Sequence, residues 1–179
     1  MEIIEKAFNS MFKSYKKMFE THIPRINDGA LPEANQTYYF CQNLVKELNN
    51  GAEASLEVPI ILKGRKKRVD GIVVSPSTNQ IFYIEAKRLK AGNEATRQLI
   101  YKDIYKVLDA NRKEFVKEYI NFNCEYEEVK EYIVILADLW IEGNYKNRNE
   151  IPFWWCGNDN SKLSDFNIEK FGNPKSTFI

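Results

Sequence analysis

The stretch Arg68–Lys90, RVDGIVVSPSTNQIFYIEAKRLK, decides how the rest of the chain is read. Its two apolar runs, IVV and IFYI, flank the turn-forming SPSTN, the pattern of two strands joined by a tight connection. Side chains alternate along a strand, so Asp70, Ile72 and Val74 share one face while Val69, Gly71 and Val73 take the other. In the second run Tyr83, Glu85 and Lys87 share a face, opposite Phe82, Ile84 and Ala86. As antiparallel neighbours, the two strands bring Asp70 and Glu85 side by side at one end of the sheet. Two carboxylates so placed repel each other, and burying them uncompensated costs several kcal/mol, so a divalent cation or a basic partner is expected between them. Lys87 supplies one positive charge. Mg²⁺, which takes oxygen ligands and often uses only one or two carboxylates, would supply the rest, and Mn²⁺ could stand in for it.

Working outward, Ile4, Phe8, Met11, Tyr15 and Met18 recur at helical spacing and predict an amphipathic helix over 2–20. Turn signals at Asn27, Asp28 and Gly29 precede Pro32, which suits the first position of a second helix running to about Asn49 and closed by Gly51. Strands are expected at 54–62, 68–75 and 80–87, then helices from Ala95 to Asp109 and within 111–120. EYIVILADLW (131–140) reads as a buried strand, IPFWW (151–155) as another and SKLSDFNIEKFG as a closing helix. The order is α/β: helix, three-strand meander, helix, strand, with additions at both ends.

The bounds of composition narrow the chemistry. With 179 residues, 44% of them hydrophobic, the chain suits one well-buried core and is read as a single domain, 1–179. Its 26 basic and 25 acidic residues nearly cancel, so steering of an anionic partner must come from local patches. The only histidine, His22, removes paired-histidine chemistry and HExxH zinc sites. No GxxxxGK[ST] or GxGxxG is present to cradle phosphates. Cys41, Cys124 and Cys156 form neither a CxxC pair nor an even set, which fits a reducing compartment. Charges run throughout the opening stretch and no uncharged apolar run approaches a membrane span, so the expected location is the cytoplasm, with no membrane partner.

An acid ending one strand, a gap of fourteen residues, then Glu85-Ala86-Lys87 on the next resembles the PD-(D/E)XK nuclease superfamily, also called restriction-endonuclease-like. Val69 stands where the proline of that name would be. The resemblance spans about 31–140 and implies an αβββαβ core, a mixed sheet flanked by helices, here with an extra N-terminal helix and a C-terminal strand and helix. It implies that Asp70 and Glu85 bind the metal, that the Ala86 carbonyl assists, and that Lys87 orients or activates the attacking water. It also carries Gln98 over as a residue near the scissile phosphate, with Lys102 on the same helix face. A further acid on the helix before the meander has two candidates, Glu33 and Glu47. The face argument favours Glu33, since 33, 37, 40 and 44 follow one helical stripe and Glu47 sits toward its edge.

The expected activity is metal-dependent hydrolysis of phosphodiester bonds, most readily in DNA. Lys63, Arg65, Lys66, Lys67 and Arg68, read as the turn before Asp70, together with Arg88 and Lys90, are suited to backbone phosphates. No separate recognition domain is evident, so either specificity would come from loops and the C-terminal region, or the domain would act without strong sequence preference or with a homodimer mate or partner protein supplying it. A non-catalytic binding module that keeps the fold, or an enzyme cutting RNA, remains the alternative. A second E-x-K, Glu128-Val129-Lys130, lies in the charged run EYEEVKEY and reads as a solvated helix face.

Overall fold

The computed structural model describes residues 2–21, 33–49, 51–89 and 94–139. Two helices, α1 (Glu2–Thr21) and α2 (Glu33–Leu48), lead into three strands, β1 (Glu53–Leu62), β2 (Arg65–Ser75) and β3 (Gln80–Leu89). Helices α3 (Glu94–Leu108) and α4 (Arg112–Tyr119) and the strand β4 (Lys130–Leu139) follow. The sheet runs β1-β2-β3-β4, antiparallel across the first three strands and parallel between β3 and β4. The parallel step needs a crossover, which α3 and α4 provide. The chain is thus α/β, as its order of elements predicts, with a four-stranded mixed sheet. The expected strand at 151–155 and the closing helix lie outside the described residues, as does Trp140.

Each face of the sheet has its own core. Phe40, Cys41, Leu44 and Leu48 of α2, backed by Ile4, Ala7 and Met11 of α1, pack on Val73, Phe82, Ile84, Ala86, Val134 and Leu136. On the other face Val107 of α3 and Val116 of α4 join Ile60, Val69, Ile72, Ile81 and Tyr83. Val69 thus packs with Ile72 and not with Val73, so the strict alternation expected of β2 breaks between Val69 and Ile72, next to the left-handed Glu57 of β1. A strand covered on both sides reads as a continuous apolar run, and Ile81–Ile84 are all fully buried. Glu85 continues that run at 0% exposure. It is the one position among Ile81–Ala86 where an ionisable carboxyl replaces an apolar group.

Two turns set the register. Asn79, left-handed at φ 53°, closes the 3₁₀ turn Pro76–Thr78 and starts the β2–β3 pairing at Ser75↔Gln80. Lys63 and Gly64, at φ 48° and 73°, form the two-residue connection between β1 and β2, the double positive φ that fits the twist of a hairpin. The basic run is therefore strand rather than turn: Arg65, Lys66, Lys67 and Arg68 pair with Leu62, Ile61, Ile60 and Pro59. Alternating apolar residues in β1 give the run a ladder to join, and this outweighs the repulsion of adjacent charges that stay exposed. Glu128 and Lys130 likewise lie on no α-helix: the first ends the short 3₁₀ helix Tyr126–Glu128 and the second opens β4, both exposed.

Gly71 lets α2 come down on β2. A Cβ there would lie 2.8 Å from Thr37 Cγ2 and 2.9 Å from Cys41 Sγ, and both of those residues are buried. The backbone beside Asp70 is thus held by direct helix-on-strand contact. No helix among the described residues is long and apolar enough to cross a membrane.

Candidate functional site

Strands β2 and β3 part company at the two acids. Their ladder ends at Gly71↔Ile84, and the next position in register would pair Asp70 with Glu85. Beyond it, among the described residues, β2 continues only with β1, as far as Leu62↔Arg65, and β3 only with β4, as far as Leu89↔Leu139. The fork leaves main-chain groups on the facing edges without a ladder partner, and Asp70 fills one vacancy. Its Oδ2 accepts the Ala86 N–H at 2.7 Å. The N–H and C=O of one strand residue project to the same side, so the Ala86 carbonyl faces the same gap. Opposite Asp70, Glu57 of β1 takes a left-handed φ of 53° between the pairs Leu56↔Gly71 and Val58↔Val69. Such conformations cost about 1–3 kcal/mol and cluster at functional sites.

Glu85 and Lys87 project to the opposite face from α2, toward α3. Lys106 Nζ lies 2.6 Å from Glu85 Oε1, and Lys87 Nζ lies 2.9 Å from Asp103 Oδ2. Lys106 is also 3.7 Å from Asp103 Oδ1, which joins the two pairs into one network. Lys87 is the counter-charge expected for the acids from the sequence; the side chain on Glu85 is instead Lys106, from the helix beyond the meander. Burial pushes the Glu85 carboxyl up to about 7, against the pull of Lys106 and with the help of the Asp70 and Asp103 charges. Glu85 Oε2 is buried without a hydrogen-bond partner among the described residues. With every group ionised, Asp70, Glu85 and Asp103 outnumber Lys87 and Lys106 by one negative charge.

Asp103 and Lys106 escaped the sequence reading, although a signal was present. Ile100, Asp103 and Val107 follow i, i+3, i+7 on the buried side of α3, so an aspartate stands in an apolar stripe at 8% exposure. Gln98 and Lys102 share a face, as their spacing requires, but that face is exposed. The side chain of Glu33 lies outside the described residues, as do that of Arg88 and all of Lys90. Glu47 is half-buried near the end of α2.

Lys63, Arg65, Lys66, Lys67 and Arg68 are exposed along the hairpin that runs up to Asp70. Two of them have loose acidic neighbours, Lys63 with Asp109 and Arg68 with Glu57, each at 3.6 Å. Solvent and salt weaken such exposed pairs, so the strip keeps its positive character. Among the described residues no group of three or more His, Cys, Asp or Glu side chains is disposed to hold a metal ion. A ligand set here would consist of two carboxylates, from Asp70 and Glu85, with the Ala86 carbonyl and water. No family model, curated protein or solved structure matches the chain.

Proposed function

We propose that the chain is a Mg²⁺-dependent phosphodiesterase of the PD-(D/E)XK type, acting on DNA in the cytoplasm, with Mn²⁺ able to replace Mg²⁺. The observation that carries this reading is the fork, where two carboxylates from parting strands converge beside a lysine. Glu85 is fully buried there, and its Oε2 has no hydrogen-bond partner among the described residues. A buried carboxylate oxygen that no described residue hydrogen-bonds, beside Asp70 and Asp103, suits a hard cation that takes oxygen ligands. When bound, such a cation supplies Lewis acidity toward a phosphate oxygen and a more acidic water.

The chain's own residues then have distinct tasks. Asp70 and Glu85 hold the cation, and the Asp70 bond to the Ala86 N–H fixes one carboxylate against the strand that carries the other. Lys87 directs its ammonium at the attacking water and at the negative charge that grows on the phosphate. Asp103 holds that ammonium in place before substrate arrives. The basic hairpin binds backbone phosphates on the approach to Asp70 and sets affinity rather than sequence preference.

The test is nicking of supercoiled plasmid DNA with Mg²⁺ or Mn²⁺, with an EDTA arm and a single-stranded RNA arm. Cleavage of DNA that stops on chelation is the expected result. Equal cleavage in EDTA would exclude the metal role, cleavage confined to RNA would change the substrate, and binding without cleavage would favour a non-catalytic module.

A further inference from the structure

The ammonium of Lys106 sits where a cation on Glu85 would have to sit. It lies 2.6 Å from Oε1 with its side chain only 18% exposed, so it is an internal positive charge on a ligand oxygen. A divalent ion brought to the same carboxylate must either displace that ammonium or bear its repulsion at close range, where the interior screens poorly. The structure also contains a place for it to go. Asp103 presents two oxygens to the site: Oδ2 is engaged by Lys87 at 2.9 Å, while Oδ1 stands 3.7 Å from Lys106 Nζ. A shift of about 1 Å would convert that loose approach into a charge-assisted hydrogen bond of ordinary length. Lys106 and Asp103 lie one turn apart on α3, so the transfer needs side-chain rotation and no movement of the helix.

We infer that Lys106 is a built-in competitor for the cation: it neutralises Glu85 in the metal-free protein and passes to Asp103 Oδ1 when a divalent ion takes the carboxylate. Asp103 is then a positioning residue twice over, steadying Lys87 with one oxygen and receiving Lys106 with the other. The inference rests on the metal-binding reading above, and it assigns to α3 the setting of cation affinity. It gives opposite signs for two neighbouring residues, neither of which is a ligand.

The experiment is Mn²⁺ binding to EDTA-stripped protein at about pH 8.5, above the ordinary carboxylate range. It is followed by the electron paramagnetic resonance signal of the free ion, with a melting curve for each variant. Lys106→Met is expected to bind Mn²⁺ about ten-fold more tightly than the native chain, and Asp103→Asn about ten-fold more weakly. In the double variant the Asp103→Asn effect should nearly vanish, since no ammonium is left to receive; this coupling separates hand-over from a simple loss of negative charge. Folded Lys106→Met with native affinity, or a double variant in which the two effects add, overturns the hand-over and leaves the metal site standing. No Mn²⁺ binding by either the native chain or Lys106→Met overturns both. If Lys106→Met does not fold, Lys106→Arg keeps the charge and can grip a carboxylate with two N–H groups. That variant is expected to weaken Mn²⁺ binding, and unchanged affinity in it overturns the proposal.

Discussion

Replacing Glu85 with glutamine should stabilise the metal-free protein above neutral pH. The carboxyl is fully buried and its pKa is raised from 4.5 to about 7, with desolvation as the leading cause. A carboxyl whose folded value lies above its unfolded value binds its proton more tightly in the native state. Its contribution to stability is complete below about pH 4.5 and is lost as pH rises through about 7. The full shift corresponds to about 3 kcal/mol. Glu85→Gln removes that cost but leaves the Lys106 ammonium with a neutral amide and a 3.7 Å approach to Asp103, so part of the gain is returned. A net gain of about 2 kcal/mol at pH 8 is expected, or roughly 4–8 °C in Tm for a chain of this size. Urea unfolding in EDTA from about pH 5 to pH 8.5 measures it. The two curves should approach each other at the acid end and separate through neutrality, the native protein being the less stable. A native protein that is more stable than Glu85→Gln at pH 8 would refute the reasoning, because the Glu85–Lys106 pair would then contribute more than burial costs.

Two further outcomes follow from the site and its support. Lys87→Ala should lose most cleavage while keeping Mn²⁺, whereas Asp70→Ala should lose both, because on the proposed reading only the second would remove a ligand; cleavage and ion binding measured side by side separate them, with Glu128→Ala and Lys130→Ala unaffected. Gly71→Ala should destabilise the fold by about 1–3 kcal/mol in urea unfolding, since its Cβ would meet Thr37 and Cys41, which are 1% and 2% exposed and have no room to yield; a change below about 0.5 kcal/mol would show that α2 is not held as described.

Much of this arrangement was legible in the sequence because local chemistry and periodicity agree. The alternation through Ile81–Ala86 and the SPSTN turn are enough to set Asp70 opposite Glu85, and the ladder starts at Ser75↔Gln80 as that turn requires. The fork was not legible. Where two strands separate depends on which helices press on each face, and the Gly71 contact with α2 is a tertiary fact. Lys106 was missed for a related reason. A lysine on a helix reads as solvated until the crossing of that helix over the sheet is known, and only the buried Asp103 in an apolar stripe gave notice. Five cations in six residues suggest solvent and hence a turn, whereas the two-residue connection Lys63-Gly64 commits the rest of the basic run to β2.

The central claim is that the Asp70–Glu85 fork is a cation site, and the most direct measurement is a crystal structure of the protein grown with Mn²⁺, with an anomalous difference map. A peak between the Asp70 and Glu85 carboxylates, beside the Ala86 carbonyl and with Lys106 moved onto Asp103, is the predicted result. A fork without anomalous density at saturating Mn²⁺, with Lys106 still on Glu85, would contradict it.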